Sequence, residues 1–170
     1  MAFDQARNQV VLFGGLGIAN TVLGDTWTWD GARWTQAAPT TTPPARYGHR
    51  LVFDSARRRV ILFGGTDSRA NYLADTWEWD GRDWALQKHT RKPAGRMHHG
   101  LAYDASRTRV VLFGGTTQAN KLGDTWELVH APPSFTTIGQ GCKGSHGKSP
   151  TLLSSAPPRL GFSFSLALAA

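Results

Sequence analysis

The chain has 170 residues and a formal net charge of +7, and aromatic residues make up 11% of it. This length fits one domain with at most a small appendage. Cys142 is the only cysteine, which excludes a disulfide within the chain and a metal site built from several thiolates. The excess of basic residues is compatible with polyanion binding, but we favour a solubilising role for the charge.

One segment occurs three times along the chain. It reads FDQARNQVVLFGG from Phe3, FDSARRRVILFGG from Phe53 and YDASRTRVVLFGG from Tyr103. An Asp-Thr-Trp phrase follows each copy, at residues 25–27, 75–77 and 124–126. A period of about 50 residues is typical of a repeat architecture.

The middle repeat begins with two predicted strands joined by a tight turn. Residues 51–53 form the first strand and residues 54–58 the turn. Residues 59–63, of which 60–63 are apolar, form the second strand. A short uninterrupted apolar run predicts a strand that is buried on both faces. Gly64 and Gly65 end it, which suits a backbone that adopts positive φ or passes close to a neighbour.

A second pair of strands follows the variable loop at residues 66–74. Residues 75–79 alternate polar and aromatic side chains, as a half-buried strand does. Asp80-Gly81 predicts a hairpin turn, residues 83–86 form the outer strand, and Pro93 closes the unit. Each repeat therefore predicts four antiparallel strands.

Three copies of this pattern in register resemble the kelch repeat, from about Met1 to Leu128. The resemblance implies an all-β fold in which each repeat is one four-stranded blade of a β-propeller. Closed propellers have about four to eight blades, so about three blades do not close on their own. The predicted structural positions of the repeat are Gly14, Gly15, Gly64, Gly65, Gly114, Gly115, Trp27, Trp77 and Trp126.

The first and last blades are expected to be incomplete. The first repeat lacks a segment that matches residues 46–51, and no Asp-Gly turn or fourth-strand Trp follows Leu128. We expect ten or eleven strands in residues 1–130. We interpret the chain as a fragment of a longer protein, and assembly with other copies is the alternative.

Residues 131–170 form a predicted linker and a separate tail. Ala131-Pro132-Pro133 breaks the composition, and Cys142 lies in a Gly-rich segment without the kelch pattern. This tail resembles the start of a small β-rich module of secreted bacterial proteins, which implies a secreted or cell-surface protein. The Gly-rich segment is no phosphate loop, because Cys142 stands where that motif needs Gly. The apolar residues 160–170 are too few to span a bilayer.

Histidines and arginines recur at the start of two repeats. We align His49 with His98, beside Arg46 and Arg96, and expect these side chains to form hydrogen bonds with the backbones of neighbouring blades. A residue that repeats with the scaffold more often belongs to the scaffold than to a unique site.

The aspartates before the repeated tryptophans, Asp25, Asp75 and Asp124, are expected to accept backbone N–H groups. No catalytic residue, metal ligand or cofactor is predicted.

Basic residues cluster in the first turn of each repeat. A blade of four antiparallel strands places its first and third turns on one face of the disc. The predicted positive ring there is a weak candidate polyanion site, formed by Arg57, Arg58, Arg59, Arg107 and Arg109. The loops at residues 16–24, 66–74 and 116–123 lie on the opposite face and differ most between repeats, so binding specificity is expected there.

These observations predict a non-catalytic binding module with a protein or carbohydrate partner. The alternative is part of a propeller enzyme, such as a carbohydrate-acting enzyme or an oxidase, with catalytic residues in other blades. Nucleic acid is not expected to bind beyond nonspecific charge attraction. Self-association is expected through open blade edges, which invite pairing with other chains.

Overall fold

The computed structural model describes residues 1–130 and 133–139, and these form three four-stranded antiparallel sheets. In each sheet the strands lie in chain order. The first blade comprises β1 (Ala2–Asp4), β2 (Gln9–Leu16), β3 (Val22–Trp29) and β4 (Trp34–Ala37). The second comprises β5 (Arg50–Asp54), β6 (Arg59–Phe63), β7 (Thr76–Trp79) and β8 (Trp84–Gln87). The third comprises β9 (Gly100–Asp104), β10 (Arg109–Thr116), β11 (Lys121–His130) and β12 (Pro133–Gly139).

The all-β expectation is confirmed. Eleven strands lie within residues 1–130, as expected, and a twelfth, β12, follows in the described residues 133–139. In the first blade the innermost strand is present and short, with three residues where β5 and β9 have five. The last blade, expected to be incomplete, is completed by β12, which pairs Phe135 with Leu128. The third sheet thus continues past residue 130, where we placed the end of the blades.

The strand β6 lies at the centre of the described structure. Val60 and Leu62 pack into a core shared with the first blade, and Ile61 and Phe63 pack into a core shared with the third. All four side chains are at most 1% exposed. The prediction of a strand buried on both faces is therefore confirmed.

The glycine pairs lie where neighbouring segments approach the end of each second strand. Gly64 and Gly65 have φ of +68° and +94°. A Cβ at Gly64 would lie 2.5 Å from the carbonyl oxygen of Arg96, and one at Gly65 would lie 2.7 Å from that of Tyr47. Both the backbone conformation and the lack of space therefore favour glycine here.

The tail with Cys142 lies outside the described residues, as does most of the proposed β-rich module. Within the described part of the chain, no helix is long and apolar enough to cross a membrane.

Candidate interaction surfaces

The segment before β5 ties the first two blades together. Its Arg46 backbone N–H donates to the Leu23 carbonyl, and the Gly15 N–H donates to the Arg46 carbonyl, at 3.0 and 2.9 Å. The side chain of Arg46 extends into the second blade. There its guanidinium donates to both oxygens of Asp75, at 2.6 and 2.7 Å, and to the Gly64 carbonyl at 3.1 Å.

Arg96 repeats this arrangement between the second and third blades. Its backbone is hydrogen-bonded to Leu73 and Gly65, and its guanidinium donates to both oxygens of Asp124, at 2.6 and 2.8 Å. Arg46 and Arg96 are 0% and 1% exposed. We call each unit an arginine clamp, because one residue holds two blades.

The clamp aspartates differ from their predicted role. Asp75 and Asp124 accept guanidinium and indole N–H groups rather than holding the loop through backbone N–H groups. Burial opposes ionisation of Asp75, but the Arg46 guanidinium outweighs it and holds the pKa of that carboxyl below its usual range. Hydrogen bonding to Arg96 likewise lowers the pKa of Asp124.

Asp25 occupies the same position in the first blade with a different set of partners. It accepts the Trp27 indole N–H at 2.6 Å, as Asp75 and Asp124 do from their own tryptophans. No arginine of the described residues pairs with Asp25. The regular Arg-to-Asp spacing in the other two repeats was the sequence signal that could have revealed the clamps.

The histidine alignment needs a correction. His99, not His98, is the equivalent of His49. His98 matches Gly48 instead, since both have left-handed φ, +56° and +68°. His49 and His99 pack edge-on against Phe13 and Phe63, with ring centroids 5.7 and 5.5 Å apart.

Burial governs the protonation of this histidine pair. Desolvation, followed by the nearby Arg46 and Arg96 charges, lowers the pKa of His49 and His99 to about 3. Both imidazoles are therefore neutral at physiological pH, and His99 is 1% exposed.

The predicted positive ring is largely compensated by carboxylates. Arg57 pairs with Asp54 and Glu78 at 2.9 and 2.6 Å, and Arg107 and Arg109 pair with Asp104 and Glu127 at 2.8 and 2.7 Å. Arg58 and Arg59 form no salt bridge within the described part of the chain. The polyanion site stays a prediction, and these two arginines are its members without a salt bridge in the described residues.

A shallow cleft of about 210 Å³ opens on the same face, between the first turns of the first two blades. Its lining residues are Gln5, Ala6, Phe53, Ser55 and Arg58. The described residues contain no group of three or more His, Cys, Asp or Glu side chains that could hold a metal ion.

The opposite face carries the loops between the second and third strands. We call it the loop face. In the first blade Ile18 is 95% exposed and Leu16 is 51% exposed. In the second blade Asp67 accepts the N–H groups of Arg69 and Asn71. In the third blade the loop from residue 117 to 120 closes on itself through Thr117. The three loops therefore present different side chains to solvent, although the strands that carry them repeat.

The chain matches a protein-family model described as the KLHDC2/KLHL20/DRC7 Kelch-repeats domain over residues 1–148. The chain belongs to the kelch-repeat family. The match extends past Leu128, where we placed the end of the resemblance, and it includes all of β12. No curated protein was found to match the chain. Kelch domains generally bind proteins, so membership indicates a protein-interaction module.

Proposed function

We propose that this kelch chain is a non-catalytic module that binds a protein partner through its loop face. The observation that carries the proposal is that the loops differ where the strands beneath them repeat. Binding residues are often placed on loops that a rigid scaffold positions. The buried arginine clamps supply that scaffold, because each fixes the end of one blade against the next.

The first-blade loop offers the strongest anchor on this face. Ile18 and Leu16 are large apolar side chains exposed to solvent in a short 3₁₀ turn and at the end of β2. Apolar side chains that become buried at the centre of an interface contribute much of its affinity. The second loop adds charge through Asp67 and Arg69, so the partner surface is expected to combine an apolar pocket with a polar rim.

A photo-crosslinking amino acid placed at residue 18 tests this proposal. The matched control carries it at Arg58, which is exposed on the opposite face. We expect position 18 to cross-link a discrete protein from the native source, and excess unlabelled chain to compete for it. An Ile18→Asp chain is expected to compete poorly. Equal cross-linking from Arg58, or competition unaffected by Ile18→Asp, would contradict the assignment.

Location and context form a separate part of the proposal. We propose that the chain belongs to a longer secreted or cell-surface protein, on the resemblance of its tail to a module of such proteins. Detection of the full-length product by antibody in the culture medium or on intact cells tests this.

The competing proposal is a propeller enzyme with catalytic residues in other blades. A carboxylate pair or a copper-binding Tyr/His/Cys set in those blades would favour it.

A further inference from the structure

The junction between the first two blades shows what covers a blade face. Trp84, on the outer strand of the second blade, packs against Phe13 of the first, with ring centroids 5.4 Å apart. Its indole N–H donates to the Thr26 hydroxyl at 3.0 Å. Phe13, Thr26 and Trp84 are at most 2% exposed. The junction therefore has two halves, an outer-strand aromatic ring and a Phe–Thr pair that receives it.

The second junction uses the same two halves. Phe135 takes the position of Trp84, and its ring lies 5.6 Å from that of Phe63. Phe63 pairs with Thr76 in the sheet as Phe13 pairs with Thr26. Because phenylalanine has no N–H to donate, the Thr76 hydroxyl is buried without a partner. Phe63 and Phe135 are 0% and 1% exposed.

Each end of the described structure carries one unmatched half. Trp34 is the first-blade equivalent of Trp84, because each pairs with the last residue of the preceding strand. Trp34 is 44% exposed. Phe113 holds the Phe13 position in the third blade, pairs with Thr125, and is 49% exposed. The first blade therefore offers an exposed outer-strand aromatic ring, and the third blade offers an exposed Phe–Thr pair of the kind that receives such a ring in the internal junctions.

We propose that the 170-residue chain by itself associates head to tail, with Trp34 of one copy packed on Phe113 and Thr125 of the other. The Trp34 indole then donates to the Thr125 hydroxyl, as Trp84 does to Thr26. This contact uses blade faces rather than the loop face, so it is independent of the proposed partner site. In a longer protein a further blade would occupy each of these two faces instead.

The third blade has room for such a neighbour. A Cβ at Gly64 would meet the Arg96 carbonyl of the following segment at 2.5 Å, whereas one at Gly114 would meet only the Leu122 carbonyl, at 3.1 Å. Because the two docking faces differ, the contact is heterologous. Such contacts close into a ring where the rotation permits and otherwise extend into a chain of copies.

Two variants, each disabling one face, test the proposal by sedimentation velocity and light scattering. Trp34→Asp removes the donor half, and Phe113→Asp removes the receiving half. Loss of a central aromatic anchor costs at least about 2 kcal/mol, or about a 30-fold weaker association. We expect the natural chain to show concentration-dependent association and each variant to be monomeric under the same conditions.

An equimolar mixture of the two variants is the decisive sample. Trp34→Asp keeps an intact third-blade face and Phe113→Asp keeps an intact first-blade face, so the mixture is expected to form dimers and nothing larger. Identical charges at both sites prevent an artificial ion pair. Leu86→Asp, at a residue 50% exposed on β8, is the matched control and should associate like the natural chain.

A monomeric natural chain, a mixture that stays monomeric, or an equal loss of association in Leu86→Asp would overturn the proposal. Circular dichroism and melting establish that each variant is folded. If an aspartate variant loses its fold, Trp34→Thr and Phe113→Thr replace the pair, because threonine is favoured in strands.

Discussion

Arg46 and Asp75 form a bidentate ion pair, in which the two terminal guanidinium nitrogens donate to different carboxylate oxygens at 2.6 and 2.7 Å. The Arg46 backbone is at the same time hydrogen-bonded to the first blade. One residue thus joins the main chain of one blade to a charged group of the next. Replacing its side chain removes a contact that connects both blades.

Arg46→Ala is expected to lower the free energy of unfolding by about 3–5 kcal/mol, because it leaves the half-buried Asp75 charge without its partner. Urea denaturation followed by circular dichroism measures the change. Arg82→Ala is the control, since the Arg82 side chain is 92% exposed and should change stability by less than about 0.5 kcal/mol. Similar losses for both variants would show that the clamp adds nothing specific.

Replacement by alanine is expected to lower the free energy of unfolding more at Gly64 than at Gly114, although their φ angles are similar, +68° and +62°. The shared backbone strain contributes about 1–2 kcal/mol at each position. Only at Gly64 does the new Cβ also meet a carbonyl oxygen of the next segment at 2.5 Å. We expect Gly64→Ala to be the less stable by at least about 1 kcal/mol in paired urea melts. Equal losses would assign the whole effect to backbone strain.

Stability is expected to fall as the pH drops below about 6.5, where unfolded histidine binds a proton but buried His99 does not. The folded-state pKa of His99 is about 3, so the unfolded chain binds more protons across the window from about 6.5 to 3. Each pH unit in that window costs about 1.4 kcal/mol per histidine, or about 2 kcal/mol for His99 between pH 7 and pH 5.

Urea melts at several pH values measure this slope. Between pH 7 and pH 5, where carboxyl groups stay ionised in both states, His99→Gln is expected to reduce it by about half, because His49 has a similarly low pKa and contributes the remainder. The groups that face His99 are Arg96, Arg50, His98 and His49, and none of these basic groups changes that sign. His98→Gln, at an exposed residue, is the control, and the slope that His99 produces should persist in it. An unaltered slope in His99→Gln would contradict its neutral burial.

The two neighbouring arginines of the first turn are expected to respond differently to charge reversal. Arg57→Glu places a carboxylate beside Asp54 and Glu78 and should cost about 2 kcal/mol or more of stability. Arg58→Glu, on the exposed turn, should leave melting unchanged and weaken any salt-sensitive retention on heparin. Unchanged heparin retention in Arg58→Glu would show that Arg58 is not part of the anion-binding site.

The repeated pattern was sufficient to predict the strands, because burial on both faces and glycine stops are local signals. β12 was not predicted because its segment has neither an Asp-Gly turn nor a tryptophan, and its one aromatic residue is Phe135. The clamps escaped because Arg46 and Asp75 lie 29 residues apart and meet only through the fold. The sequence does distinguish His98 from His99, because the 50-residue offset that aligns Phe53 with Tyr103 also aligns His49 with His99. The backbone conformation and burial agree with that alignment.

The span from Arg46 to Asp75 lies within a single period of the sequence. A duplication or deletion of one whole period therefore carries the buried cation and its counter-ion together. A deletion that removes only one of the two residues leaves an unpaired charge in the interior. Gain or loss of a blade as a whole repeat therefore avoids that penalty, whereas a deletion that ends between the cation and its counter-ion does not.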